Sequence, residues 1–304
     1  MDLADNRASR SVLVLVNPVA NSKREKMLQQ LLQTLSSRNV AYQYLETFAN
    51  VEQTTAALAA LPPNFNQVVV LGGDGTLHQA VNLFAGTQIP IGYIASGTGN
   101  DFARGWFGER RLSASEWIEQ ALYAPSIRVD LGQAGSRYFI NVAGVGFDGA
   151  LVRKLGARKF IWPKLSYALA ALQSLFGYRA QTFDLQASNQ KLLAIGQRPA
   201  FLFTLANSQY FGAGMQIAPH AKMNDGKLAY CFIERCGNFT KLNIFRRVFA
   251  GTHGEHAKVH CGQLNAVTVC AQGLPVQADG EWVGETPMIF RTIPAAISIR
   301  KPSA

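Results

Sequence analysis

The chain has 304 residues, 48% of them hydrophobic, and a formal net charge of +10. This length and apolar content fit one large or two ordinary globular domains, and two are expected. From the polar start MDLADNRASR and the short apolar run Val12 to Val16 no signal peptide is expected, and the broken stretch Leu165 to Tyr178 falls short of the roughly 20 apolar residues of a spanning helix. Cys231, Cys236, Cys261 and Cys270 lack the paired short spacings of a zinc site. The positive charge suits nucleic acid, anionic lipid or phosphorylated substrates alike, but no nucleic-acid reading motif accompanies it, so no nucleic-acid partner is expected.

In chain order, the first part alternates between strand and helix. Strands are predicted at Val12 to Val16, Tyr42 to Glu46, Gln67 to Leu71, Ile91 to Ile94 and Ile127 to Leu131. Helices fall between them near Lys23 to Leu35, Glu52 to Leu61, Thr76 to Phe84, Phe102 to Trp106 and Ala114 to Tyr123. Repeated β-α-β of this kind makes an open parallel sheet whose ligands collect at the strand C-terminal ends. From about residue 132 the pattern turns to short strands, Tyr138 to Val142, Phe183 to Ala187, Ala200 to Ala206, Lys227 to Phe232 and Ala266 to Val269, with helices near Lys164 to Phe176 and Lys241 to Ala250. The expected fold is therefore an α/β nucleotide-binding domain with a parallel sheet over residues 1–131, followed by a β-sandwich-like domain over 132–291. The last strand, Ala296 to Arg300, is free to join either, and 292–304 is a candidate to complete the first.

The stretch VVVLGGDGTLHQAVN, from Val68, runs from a buried strand through glycines into an amphipathic helix, with Thr76 as a candidate cap and Gly86 near the helix end. Bare backbone before a helix N-terminus suits a phosphate, although a tight turn would also need glycine. His78 breaks the dinucleotide fingerprint and the only Gly-Lys, Gly226-Lys227, precedes Leu228, so neither a Rossmann loop nor a P-loop is present. Asp74 beside a polyphosphate implies an intervening cation, for which Mg²⁺ is the candidate.

A second glycine loop, SGTGNDFARG, follows the strand Ile91 to Ile94, with Asn100 or Asp101 as cap. Together GGDGTLH and SGTGNDFAR resemble the catalytic domain of the diacylglycerol kinase superfamily, which includes bacterial lipid kinases and sphingosine and ceramide kinases. The likeness continues through VNPVANSK, INVAGVGFDGALV, NSQYFGAGMQIAPHAKMNDGKLAY, GTHGEHAKV and VQADGEWVGETP. GGDGT alone is similar also to NAD kinases and phosphofructokinases, which keeps a kinase of a soluble hydroxylated substrate as the runner-up. A regulatory protein without turnover is a third reading, opposed by the intact Asp279 and both loops.

What the resemblance implies is an ATP- and Mg²⁺-dependent lipid kinase. Gly72, Gly73, Asp74, Gly75, Thr76, Leu77, His78 and Thr98 would contact ATP, joined by Thr47, which could instead cap a helix. Asp279 would take the substrate hydroxyl proton with Glu281 in support; two carboxylates one residue apart on a strand face the same side, whereas the rival reading is an Asp-Gly hairpin turn. Lys222, Asp225 and Lys227 match a structural Mg²⁺ segment, the lysines through their carbonyls. Asp74, Asp101 and Asp130 would form a network around the catalytic Mg²⁺. His253, His256 and His260 have metal-like spacing, with His256 and His260 sharing a face if helical, but the family has a Gly-x-His element here without zinc. Arg153, Lys154, Arg158, Lys159 and Lys164, interleaved with Phe160, Ile161 and Trp162, form a candidate contact with an anionic membrane or, equally, a solvated basic face. A cytoplasmic protein peripherally attached to the membrane, carrying a lipid substrate and with a homodimer left open, is the resulting expectation.

Overall fold

Val12 to Leu15 and Val68 to Leu71 have no solvent exposure, as β-branched runs covered on both faces require. They belong to a computed structural model that describes residues 10–18, 21–108, 112–156 and 177–301. One compact unit ends at Val129 and takes up the chain again from Ala295; the other is Asp130–Pro294.

The first unit carries β1 (Ser11–Val16), α1 (Ser22–Ser37), β2 (Ala41–Glu46), α2 (Val51–Ala59), β3 (Gln67–Gly72), α3 (Asp74–Phe84), β4 (Pro90–Ala95), α4 (Asp101–Phe107) and α5 (Ala114–Tyr123). Its strands run parallel in the order β2-β1-β3-β4. Ser298 and Ile299 pair in parallel with Pro90 and Ile91, beyond β4, so the last strand closes this sheet. The chain leaves β1 toward β2 on one side and returns to β3 on the other. Such a reversal opens a crevice at the strand C-terminal ends, and the first glycine loop follows β3 there. Met27, Leu31 and Leu35 of α1 pack with Ile118, Ala121 and Leu122 of α5 against β1 and β3, the 3.6-residue stripes that the sequence predicts.

In the second unit an antiparallel sheet is ordered β11-β10-β9-β7-β13-β14: β11 (Val259–Leu264), β10 (Leu228–Glu234), β9 (Ala200–Ala206), β7 (Val142–Gly146), β13 (Pro275–Ala278) and β14 (Glu281–Glu285). Phe203, Phe232, Val145 and Val276 on one of its faces meet Phe139, Leu185, Val267 and Phe290 from the strands opposite. Val142, Leu202 and Ile233, one residue out of phase, point the other way and pack with Leu151, Ile244 and Val248. Period-two burial on both faces makes this a β-sandwich with helices on its outer side.

Two elements differ from expectation, and a third falls outside the described residues. Helix α3 starts at Asp74 with Gly73 as N-cap, so Thr76 lies inside the helix and is not its cap. The expected strand Tyr138 to Val142 is split into β6 (Arg137–Phe139) and β7, because the amides of Ile140, Asn141 and Val142 turn to the carboxylate of Asp279. The predicted helix Lys164 to Phe176 and the residues Arg158, Lys159, Phe160, Ile161, Trp162 and Lys164 lie outside the described residues.

Candidate active site

The glycines of the first unit work as a pair of turns. A Cβ on Gly73 would stand 3.0 Å from Gly97 Cα, and one on Gly97 only 2.5 Å from Gly73 Cα. The two loops therefore touch backbone to backbone, and the Ser96 amide donates to the Gly72 carbonyl at 2.8 Å. Within α3 the first intrahelical bond runs from the Leu77 amide to the Gly73 carbonyl, so the amides before it face outward, as at any helix start. Thr76 Oγ1 is buried and has no hydrogen-bond partner. Bare backbone, helix N-terminus and an unmatched hydroxyl are the parts of a phosphate cradle.

Asp74 has a second duty. Its Oδ2 accepts from the Asp101 amide at 3.2 Å and its Oδ1 from the Phe102 amide at 3.1 Å. It thereby caps α4 from the other loop, supplying an anion where the helix dipole favours one. Asn100 holds the N-cap position of α4 without a side-chain capping bond; its side chain exchanges hydrogen bonds with Gly97, accepting at 2.9 Å and donating at 3.1 Å. Asp101 begins the helix and pairs with Arg104 at 3.3 Å.

Arg24, missed in the sequence, holds the turns in place. Its guanidinium is 9% exposed and donates to the Asn17 carbonyl and side chain at 3.1 Å and to Ser96 Oγ at 3.1 Å, joining the loop after β1 to the loop after β4. Only its place just past VNPVANSK could have signalled it.

The remaining nucleotide candidates separate. Thr98 is exposed in the second turn. Thr47 is 3% exposed and its amide donates to the Val16 carbonyl; the cap of α2 is Asn50, so the capping alternative for Thr47 is wrong. Leu77 is a core residue, and His78 is 1% exposed, in the helix beside Asn82, which leaves these two positions their backbone rather than their side chains to offer a nucleotide.

In the second unit the central feature is Asp279. With φ of +51° there and +86° at Gly280, the pair forms the two-residue turn between β13 and β14, as Asp-Gly favours. The carboxylate accepts from Ile140 at 2.9 Å, Asn141 at 2.8 Å and Val142 at 3.1 Å. The turn breaks the extended run, and Glu281 is an exposed residue opening β14, paired with Ala278, so the same-face pair with Asp279 expected from strand spacing does not arise.

Buried polar atoms gather around this contact. The Asn207 and Ser208 amides donate to the Asn141 carbonyl, and Asn207 Nδ2 donates to the carbonyls of Asp130 and Ile140. Asn141 Oδ1, Asn207 Oδ1 and Ser208 Oγ are buried without partners, which normally marks a ligand or solvent position. Behind the turn, Gln277 accepts from the Gly280 amide at 2.8 Å and donates to Asp148 at 3.0 Å. Burial pushes the Asp148 carboxyl up to about 6, against the lowering effect of Gln277 and the Gly149 amide.

Asp130 and Asp225 are both drawn into protein contacts. Asp130 accepts from the Gly226 amide at 2.7 Å, which ties it to the 222–227 turn. Asp225 accepts from the Lys227 amide at 3.1 Å and Gln263 Nε2 at 3.0 Å, while Lys222 and Lys227 are exposed. The histidine trio does not assemble. His260 lies on β11 against Glu234 at 2.8 Å, and His256 follows the 3₁₀ turn His253–Glu255, so the proposed helical face does not exist.

Comparison with known proteins covers both units. A model of the diacylglycerol kinase catalytic domain matches residues 11–134, and a model of the YegS C-terminal NAD kinase beta sandwich-like domain matches residues 141–301. A diacylglycerol kinase of Mycobacterium tuberculosis is 29% identical over 251 residues, 80% of this chain and 79% of that one. One of Bacillus subtilis is 27% identical over 296 residues, 95% of each. Among solved structures, a Bacillus anthracis str. Sterne protein aligns with TM-score 0.74 and 20% identity, covering 96% of this chain and 95% of that chain. At that identity the likeness speaks for the fold.

Proposed function

The chain belongs to the diacylglycerol kinase family, kinases with an alcohol acceptor and ATP as donor, and we propose that it transfers the γ-phosphate of ATP to the hydroxyl of a diacylglycerol-like membrane lipid. The observation that carries this reading is Asp279, a carboxylate held by three successive amides among buried polar atoms that lack partners.

The glycine turns and the start of α3 bind the phosphates through backbone amides, with Thr76 Oγ1 as a further donor. The lipid hydroxyl attacks phosphorus: the new P–O bond forms as the bond to the β-phosphate oxygen breaks, and the hydroxyl proton passes to Asp279. Of roughly four acceptor directions on a carboxylate, at least three are taken by amides, so Asp279 is a positioned acceptor. A loose phosphoryl transition state asks mainly for position and charge stabilisation. The oxygen donors Asp74 and Asp101 suit Mg²⁺, which would neutralise phosphate oxygens when bound; Asp130 and Asp225 are further oxygen donors in the second unit.

For membrane contact, the helix Asn238–Ala250 offers an exposed apolar and basic surface. Phe239 is 93% exposed, with Leu242 and Phe249 also exposed, Arg246 in the same stripe and no acidic residue in the helix. That composition fits an anionic bilayer surface. Of the basic segment proposed from sequence, Arg153 pairs with Glu285 at 2.6 Å. Among the described residues no helix is long and apolar enough to cross a membrane.

The test is a phosphate-transfer screen with labelled ATP against diacylglycerol, monoacyl lipids, sphingoid bases and phosphatidylglycerol in mixed micelles, beside NAD. A labelled lipid is expected, and labelled NAD without any lipid product would overturn the reading.

A further inference from the structure

Cys231 and Cys261 stand directly opposite each other on the antiparallel strands β10 and β11. The turn His253–Glu255 precedes β11. A ring nitrogen of His253 and the two sulfurs all lie within 4.8 Å of one another, the only such group of three His, Cys, Asp or Glu found among the described residues. None of the three is assigned to phosphoryl transfer.

The imidazole is committed in orientation and tautomer. Nε2 lies 3.0 Å from the Ile217 carbonyl oxygen, which can only accept, so Nε2 carries the hydrogen and Nδ1 the lone pair. Nδ1 is buried with no hydrogen-bond partner, in a residue 1% exposed. Metal-binding histidines are oriented in this way, one nitrogen donating to a backbone carbonyl and the other turned to the ion. Cys231 is equally buried, while Cys261 is exposed. Its Sγ faces the histidine turn: a Cβ on Gly254 would stand 3.6 Å from it.

We propose that Cys231, His253 and Cys261 form a binding site for a thiophilic divalent cation, with Zn²⁺ the best fit. Two sulfurs and one imidazole are the soft-to-borderline donor set that Zn²⁺ takes, and three protein ligands leave a fourth position for water, reached from the exposed side of Cys261. Bonds of ~2.3 Å to sulfur and ~2.0 Å to nitrogen space tetrahedral ligands by roughly 3.5 to 4 Å. Starting within 4.8 Å of one another, the trio therefore needs to close by no more than about 1.3 Å. Binding releases the thiol protons to solvent, up to one from each cysteine, and transfers no electron. The bound ion would join β10, β11 and the turn before β11 at one point. The cysteines on facing strands, rather than the histidine spacing in HGEHAKVH, supply the site.

The experiment uses the full chain, freshly reduced, with Co²⁺ alone as the first probe and Zn²⁺ alone as its competitor. One equivalent of Co²⁺ is expected to give thiolate charge-transfer absorption and tetrahedral ligand-field bands, both abolished by Zn²⁺. Cys261→Ser should weaken Co²⁺ binding by at least ~10-fold, whereas Cys236→Ser combined with Cys270→Ser should leave it unchanged. A second measurement needs no variant: Zn²⁺ should protect Cys261 from alkylation, read by mass spectrometry. Absence of the charge-transfer band, equal binding by Cys261→Ser, alkylation indifferent to Zn²⁺, or a Cys231–Cys261 disulfide persisting in reductant would each overturn the proposal.

Discussion

In the proposed mechanism the first unit offers its ligand backbone amides, with side chains such as Arg24 and Asp74 holding them still. The second would offer a side chain, Asp279, which three amides hold. An amide array is set by where the chain turns, so it tolerates almost any side chain and no bulk. A positioned carboxylate depends on one atom set contributed from far along the chain. The first kind of half-site should therefore fail by crowding and the second by loss of a single charge.

The sharpest break in that contrast is Asp279→Asn. Asn tolerates the left-handed backbone of the turn, so the change isolates the charge. Turnover is expected to fall by roughly 10²-fold or more with ATP affinity near that of the parent. Because the carboxylate also satisfies three amides, stability should drop by about 1–3 kcal/mol, measured by denaturant titration. Turnover close to the parent's in the folded variant would remove Asp279 as proton acceptor.

Gly97→Ala comes next. Its new methyl would stand 2.5 Å from Gly73 Cα, closer than the 3.0 Å for the converse Gly73→Ala, so the turns must part. ATP binding by calorimetry should weaken at least ~10-fold, more for Gly97→Ala than for Gly73→Ala, with the far-ultraviolet spectrum retained. Equal, unperturbed affinities in both would show that the contact between turns is irrelevant to the nucleotide.

A third change acts behind the hairpin. With the Asp148 carboxyl raised to about 6 from 3.8, the folded chain keeps a proton between those values that the unfolded chain has released. Parent stability therefore falls as pH rises through that window and is level above it. Asp148→Asn removes the step, and should be more stable than the parent above the window by up to ~3 kcal/mol and similar below it, as read by urea unfolding at several pH values. The smallest effect is expected from Thr76→Val, which replaces an unmatched buried hydroxyl by a methyl. Its stability should change by less than about 1 kcal/mol, while the KM for ATP rises several-fold; an unaltered KM would take Thr76 out of the cradle.

The same contrast governs what could be read from the sequence. Both glycine turns are contiguous motifs, and the burial of Val68 to Leu71 follows from composition alone, so the first half-site and its sheet were legible. The contact of Gly73 with Gly97 was not, since nothing in either loop states which backbone it meets. Arg24 was hidden because a charged residue in the first turn of a helix ordinarily faces water. In the second unit the Asp-Gly turn was visible as one of two readings, and the turn is what the backbone adopts. What spacing could not show was that the carboxylate would reach back to residues 140–142 and interrupt a strand there. The same-face placing of Glu281 failed for the complementary reason: period-two facing presumes an extended chain, and the turn at Asp279-Gly280 removes it.

The last strand, Met288–Arg300, gives the protein a timetable. The unit that begins the chain is finished only when Ser298 and Ile299 settle beside Pro90 and Ile91 and the Arg300 carbonyl receives the Trp106 indole N–H at 2.9 Å. At roughly 5–20 residues per second of synthesis, the stretch from Asp130 to Pro294 takes on the order of 10 s. During that interval β4 is a sheet edge without its final partner, the kind of surface that pairs with whatever strand arrives first. The first unit thus begins before the second and is completed after it, and a nascent chain that stalls before residue 298 has its glycine turns present and that edge open.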